Sequence, residues 1–588
     1  MRFGKVIATV LAAGLLMNSL AGCGQAAKTK ESSNTETTVQ EQRTGEDIVT
    51  LKVFSMPSNT SGVKEGWWAD ILKEKAGVQL EILPSGDEGE QKLQALMASG
   101  ELPDIVIFKD NKQVVNAVAG HMLLAYDDYK ELLPNLYQNA DNSLRYYADN
   151  VSNGEGKAFS VGTRIQTSLE TKGTLNWGPY LRYDLYKQIG APKVETSDDY
   201  LDILKKMQEI YPENENKQKV YGFSLWKDWD NRRMALGDLL GNINGISYDI
   251  CGDFLELNVI TNEINTIFDE DSWYLKTLKL YFDANQMGLL DPDSMTQRFD
   301  DATGKAGAGR TLFSWWGWAT GGFDTTERHN QGIGFMPVEA ENIKVLHQGL
   351  QPIGKNWSVS VSSATKYPEA AMRFVDFIYS EEGAMLLHNG PKGVTWDVGD
   401  DGKPYVTKEG YEYQLDTTKE LPGGSNIPES QNFLNVLPLY ETEMSKEYGV
   451  PIGYKYWEKT ADAPADTKLE DEWQADYGAE DQIEYLSKVD GIAVAPFAPI
   501  PPIPDDLEQI SGRVGDVVKT YSWKMVMAKD EAEFNQLKEE MIEKIKMETR
   551  RYAKRQITWF KRIENIIWLD GLNKTEENVN SIMEVYGE

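Results

Sequence analysis

The side chains in this sequence that could do chemistry are its aromatic clusters and its carboxylates. Trp315-Trp316-Gly317-Trp318, Trp177 with Tyr180 and Arg182, and Trp226 with Trp229 gather flat aromatic faces beside polar groups. That is the equipment of a site that stacks and hydrogen-bonds rather than one that breaks bonds. With 92 Asp and Glu residues in the chain, neighbours such as Asp127-Asp128 and Asp198-Asp199 are unavoidable, so they read as helix caps and a solvated face rather than as a catalytic acid pair. His121, His329, His347 and His388 stand alone, with no HExxH pair and no metal-ligand spacing. No GxSxG elbow occurs, and Gly304-Lys305 runs into Ala306 where a phosphate loop needs Ser or Thr. Cys251 has no basic neighbour in sequence and reads as a small buried residue. The sequence therefore predicts a chain without catalytic residues, metal or cofactor.

The elements that must carry these groups alternate. Thr50 to Ser55, Val78 to Leu83 and Asp104 to Phe108 read as strands, with helices at Trp67 to Lys75 and around Leu93, Leu96 and Met97. That rhythm predicts a mostly parallel sheet with helices on both faces. It recurs after residue 175, where Tyr221 to Leu225 reads as a strand and Thr196 with Asp199 caps a helix buried along Tyr200, Ile203, Leu204, Met207 and Ile210. Pro368 opens a helix with Ala371, Phe374, Val375 and Ile378 on one stripe and Gly383 as its stop. Pro496 to Pro504 is expected to run extended over the surface, and Asp530 with Glu533 opens a long helix carrying Phe534, Leu537, Met541 and Ile545. Residues 49 to 588 suffice for two large lobes or three domains.

At the N-terminus, Arg2 and Lys5 precede an apolar run from Val6 to Leu20, the layout of a secretory signal over residues 1–22. The run ends in Leu20-Ala21-Gly22-Cys23, which resembles the lipobox of bacterial lipoproteins and implies acylation of Cys23. Gly24 to Asp47 lacks aromatic residues and reads as a flexible tether, so residues 23–48 are expected to link lipid to fold. One cysteine is then left for the folded part, and an intramolecular disulfide is excluded. The formal net charge of −32, more negative still once Arg2 and Lys5 leave, repels phosphate backbones and argues against nucleic acid as a partner.

Several ordered motifs add a family resemblance. They are Gly77-Val78-Gln79-Leu80-Glu81, the ASGELPDI run from Ala98 to Ile105, Gly120 to Asp127, Tyr180 to Leu185 ahead of Gly190-Ala191-Pro192, Gly304-Lys305-Ala306 with Gly317-Trp318, and Gly393 to Trp396 ahead of Asp401-Gly402-Lys403-Pro404. In number, order and spacing the sequence resembles the extracellular solute-binding proteins of family 1, in particular the LplA-like lipoproteins of Gram-positive bacteria. The resemblance implies an α/β fold of the type II periplasmic-binding-protein kind, two lobes joined by a hinge with the ligand cleft between them. Lobe 1 is expected over 49–160 with about 350–388, and lobe 2 over 161–349 with about 389–588 including a helical extension. It further implies a monomer, lipid-anchored on the outer face of the membrane, that captures an oligosaccharide and hands it to ABC permease subunits. Some relatives carry a calcium loop before YGFS; here that stretch reads Tyr211 to Val220, its first and last oxygen ligands replaced by Tyr211, Lys219 and Val220, so no ion is expected.

A ligand in such a cleft meets the loops that follow strands. Candidates there are Trp315, Trp316 and Trp318; Trp177, Tyr180 and Arg182; Trp226 and Trp229; Asn356 and Trp357; Lys109 and Asp110; and Ser58 and Asn59. For each tryptophan, core filling is the competing role. Arg182 has two: a fork onto ligand hydroxyls or a uronate, or a salt bridge to Asp184. Two other functions fit the composition, a carbohydrate-active surface enzyme and a binder of the same fold for a peptide or for sensing.

Overall fold

The computed structural model describes residues 48–560 apart from 59, 84, 86–88, 170–174, 356, 417 and 499–504. Cys23, the signal segment, the tether up to residue 47, Asn59 and Asn356 lie outside the described residues. No helix among the described residues is long and apolar enough to cross a membrane.

The chain builds two hydrophobic cores. In the first, Val49–Ser55 lies between Val78–Leu83 and Ile105–Phe108, all three parallel. Ile105–Phe108 is apolar at every position because both faces of the strand are covered. Ser358–Val361 then returns from far along the chain to pair antiparallel with Ile105–Phe108, and Val161–Gly162 pairs with Ser358–Val361 at the edge. Trp67–Ala76 and Pro368–Ile378 pack against this sheet through Trp68, Leu72, Phe374 and Val375. Gly383 does not stop the second of these helices: it lies within a following helix, Glu381–Asn389, capped by Ser380, whose hydroxyl accepts the Gly383 N–H.

The second core departs further from expectation. Its two three-stranded sheets, Phe313–Ser314 with Tyr180–Arg182 and Phe335–Pro337, and Ile246–Ser247 with Leu255–Asn258 and Glu263–Thr266, are antiparallel rather than parallel. Tyr221 to Leu225 makes isolated bridges, Tyr221 to Thr311 and Phe223 to Leu290, and no strand. Helix Asp199–Ile210 buries Tyr200, Ile203, Leu204 and Met207 as its pattern requires, while Ile210 at its end is 49% exposed. Helices Asp505–Val526 and Glu531–Phe560 form a hairpin against Trp273–Gln286, fixed by Phe282 on Phe534 at 4.9 Å and by the 2.8 Å hydroxyl contact of Tyr274 with Ser522.

Residues 389–588 were expected in the second lobe, but Trp396, Val406, Tyr411, Phe433, Leu439 and Trp457 pack into the first core. Only the part from Leu469 onward joins the second core. An apolar pattern signals burial, and it carries no label for the core that will receive it.

The chain crosses between cores near residues 163–166 and 348–357. These crossings are hydrogen-bonded to each other, Gln166 N–H to Gln351 O at 3.1 Å and the reverse at 2.9 Å. Gly354, at φ +82°, brings its backbone against Thr163, and a Cβ at Gly162 would run into the Ile353 carbonyl.

Candidate functional site

A cavity of about 390 Å³ opens where the chain crosses between the cores. The first core supplies Lys109, Asp110 and Asn111 from the turn after Phe108, with Tyr146 and Tyr147 from helix Asp141–Asn150. The crossings supply Gln348, Gln351, Lys355 and Trp357, and the second core supplies Trp177, Ser247, Asp249, Ile250 and Leu346. Phe497 closes one side: Ile492–Val494 pairs in parallel with Val345–His347 and brings the start of the Pro-rich segment, exposed over residues 496–498 as expected, to the rim of the cavity, while 499–504 lie outside the described residues.

The walls mix aromatic faces with polar edges. Tyr147 is buried and Trp177 is 8% exposed, with what remains of its surface turned to the cavity. Burial raises the phenols of Tyr146 and Tyr147 above their ordinary value, so both remain neutral donors. The Lys355 ammonium lies 3.0 Å from Asp249 and holds that carboxyl below the usual range. Asp110 is tied to its own helix, accepting the Gln113 N–H at 2.9 Å. Beside the cavity, burial lowers the His347 pKa, and its Nδ1 accepts the Gly349 N–H at 3.0 Å.

Of the side chains singled out from sequence, Lys109, Asp110, Trp177 and Trp357 line this cavity. Trp315, Trp316 and Trp226 are buried, at 4%, 5% and 6% exposure. Trp318 and Trp229 are not: at 57% and 39% exposure they form a shelf, with centroids 6.2 Å apart and planes within 27°, that Phe299 extends by stacking on Trp229 at 4.6 Å. The Trp315 carbonyl accepts the Gly178 N–H, so the turn presenting Trp318 begins beside the cavity residue Trp177. Tyr180 underlies that turn, against Gly317, and donates to Gln482 Oε1 at 2.9 Å.

Two candidates are drawn away from any ligand. Arg182 is 3% exposed and forks onto Asp184 at 2.9 and 2.7 Å under the ring of Phe323. The Ser58 hydroxyl is buried on the Phe433 carbonyl at 3.1 Å. Tyr146, Tyr147, Gln348, Gln351, Ser247, Asp249, Lys355 and Phe497 escaped the sequence reading. Only Lys355 carried a signal, its place two residues before Trp357.

The loop where relatives hold calcium does not fit the ion. Asn214, 3% exposed, sits at its centre: Oδ1 accepts the N–H groups of Asn216 and Gln218 at 3.0 and 2.9 Å, and Nδ2 donates to Ala308 O at 2.7 Å. Glu213 and Glu215 point to solvent. Calcium needs six to eight oxygens, several of them anionic, whereas this loop closes on one neutral amide. Asn214→Ala should cost about 2 kcal/mol, from the loss of the three backbone hydrogen bonds that this buried side chain makes, while a chelator leaves the wild-type melting temperature unchanged. Thermal unfolding with and without EDTA reads both.

The family model for bacterial extracellular solute-binding proteins matches residues 56–385. Lipoprotein LipO of Bacillus subtilis is 23% identical over 358 residues, 56% of this chain and 64% of that protein, so the match spans less than two thirds of its relative. Among solved structures, the Streptococcus pneumoniae ABC-transporter substrate-binding protein FusA in complex with kestose aligns at TM-score 0.55 and 16% identity, covering 87% of this chain and all of that one. Alginate-binding protein AlgQ2 without calcium ion aligns at TM-score 0.55 and 17% identity, over 86% of this chain and 95% of that one. A second model, IPP transferase, matches residues 516–563, and a tRNA dimethylallyltransferase of Flavobacterium psychrophilum is 72% identical over 29 residues, 5% of this chain and 9% of that enzyme. Up to residue 560 that segment belongs to the hairpin of the second core, and so short a match covers only a fragment of the enzyme. The match over 56–385, most of both cores and the crossings between them, settles the matter: the chain belongs to the bacterial extracellular solute-binding protein family.

Proposed function

We propose that this protein is the lipid-anchored capture component of an ABC importer, that its ligand is an oligosaccharide, and that binding is the whole of its chemistry. The observation that carries the reading is the cavity at the lobe crossings, with aromatic walls from Trp177, Trp357 and Tyr147, polar groups from Lys109, Gln351 and Asp249, and the Trp318–Trp229 shelf, whose turn is joined to the residue after Trp177 by the Gly178 N–H to Trp315 O bond. A pyranose or furanose ring has apolar C–H faces and hydroxyl edges, so stacking surfaces rimmed by donors and acceptors are its complement. The space inside holds one to two sugar rings, and the shelf gives a longer chain somewhere to continue. FusA in complex with kestose and the alginate-binding AlgQ2 share the fold, which supports a sugar without choosing one. Lobe closure needs only that ligand contacts favour the shut form by a few kcal/mol.

Cys23 would carry the acyl chains, each methylene contributing about 0.8 kcal/mol of membrane affinity, with residues 24–47 as the tether. Metabolic labelling with a palmitate analogue tests this: wild type incorporates label, Cys23→Ser does not, and equal labelling refutes the anchor.

The sugar reading is tested by thermal shift against an oligosaccharide library, followed by calorimetry on the hits. Trp177→Ala and Trp318→Ala should each weaken binding by about 1 to 2 kcal/mol, five-fold to thirty-fold, as aromatic anchors do. Unchanged affinity in both variants would remove the ligand from this cavity and shelf.

A further inference from the structure

We propose that Lys355 and Asp249 are specificity-determining residues whose ion pair bridges the two lobes, a bridge that a neutral polyhydroxylated ligand completes and an anionic ligand splits; the ligand class rests on the sugar reading above, the bridge does not. Lys355 belongs to the crossing that returns to the first core: its N–H donates to Thr163 O at 2.7 Å, directly after Gly354. Asp249 belongs to the second core, two residues beyond Ile246–Ser247 and next to the buried Tyr248. Their side chains meet at 3.0 Å, and both line the cavity. A motion that carries the Lys355 turn, three residues before Ser358–Val361, away from the second core stretches this contact.

The pair also has capacity to spare. An ammonium has three N–H donors and Asp249 takes one; Asp249 Oδ1 has no hydrogen-bond partner among the described residues. The side chains are 21% and 60% exposed, so a ligand can reach them. A ring hydroxyl placed there donates to Oδ1 and accepts from Lys355 at once, leaving the bridge whole. A ligand carboxylate meets like charge at Asp249 and competes for Lys355, so it gains a partner only by breaking the contact between lobes. Lys109 also faces the cavity and could receive an acidic ligand, which makes the acidic arm of the test decisive.

Exposed ion pairs are modest, so the bridge shifts the closed-to-open ratio by up to about five-fold. Spin labels at Asp149→Cys and Glu263→Cys, in a Cys23→Ser, Cys251→Ser background, report the interlobe distance by pulsed dipolar spectroscopy without ligand. Lys355→Met and Asp249→Asn should each lose population at the short distance, and the charge-reversed pair Lys355→Asp with Asp249→Lys should regain it. Superimposable distributions in all four proteins overturn the bridge. With ligand, kestose and an alginate trisaccharide serve as the neutral and acidic probes: Asp249→Asn should weaken the neutral sugar several-fold and strengthen the acidic one. An acidic sugar that binds wild type more tightly than the neutral one and is indifferent to Asp249→Asn overturns the specificity claim. If neither these sugars nor any member of the oligosaccharide library shifts the melting temperature, the sugar reading fails with its ligand class, and the ligand-free distances decide the bridge alone.

Discussion

Arg182→Met is expected to lower the free energy of unfolding by about 3 to 5 kcal/mol, the cost of leaving a buried charge without its partner. The guanidinium and the Asp184 carboxylate are 4% and 10% exposed, so neither can turn to water once the other is gone. The fork at 2.9 and 2.7 Å and the Phe323 ring 4.3 Å from the guanidinium carbon fix the pair in one geometry, which a Lys substitution would not restore. Chemical denaturation of the two proteins measures the difference. A second variant separates the roles: Arg182→Met with Asp184→Leu removes both charges and should recover much of the loss. Were Arg182 a ligand group on the cleft wall, its removal would leave stability within about 0.5 kcal/mol and strike affinity instead. That outcome would return it to the site.

Glu339→Gln should stabilise the protein by up to about 5 kcal/mol at pH 8.5 and by almost nothing near pH 4. Glu339 is 6% exposed, with the Gln482 amide donating to Oε1 at 2.6 Å, and burial pushes its carboxyl up to about 8. The sign follows from proton counting. The unfolded chain releases this proton near the ordinary glutamate value, while the folded protein keeps it until about pH 8. Between those values the folded state binds the extra proton, so stability falls by about 1.4 kcal/mol per unit as pH rises and the loss is complete above the folded pKa. Glutamine has no proton to lose, so the gap between variant and wild type must open over that window. Melting curves at pH 4, 6 and 8.5 test it, and a gap independent of pH would show that the carboxyl does not titrate there. The same network reaches the candidate site, since Gln482 Oε1 accepts from Tyr180 beneath the Trp318 turn.

Both expectations concern side chains whose role the sequence left open or passed over. Arg182 stood two residues from Asp184, and a basic residue at that spacing reads equally as an ion pair or as a ligand group. Glu339 was one acid among 92. What separates it from the solvated majority is that Gln482, 143 positions on, donates to it, while Tyr180 bonds that same amide and Tyr200 bonds the neighbouring Val338 carbonyl.

Local pattern determined much by itself. Val78–Leu83 and the helix from Pro368 follow their period-2 and period-3.6 apolar spacing, because burial on one face is a property of the segment. The motifs from Gly77 to Pro404 were enough to suggest the family, and the loop after Phe108 placed Lys109 and Asp110 at the cavity, since the turn beyond a parallel strand opens on the cleft. The tertiary structure alone decided which tryptophans are wall, shelf or core: Trp315, Trp316 and Trp318 are chemically alike and adjacent, and their fates differ by a single turn around Gly317. It alone drew Trp396 to Trp457 to the first core and set Asp249 against Lys355 across 106 positions of sequence. The physical reason is common to these cases. Hydrophobic periodicity records that a side chain leaves water, and the identity of its neighbour is written only in how distant segments share the space that remains.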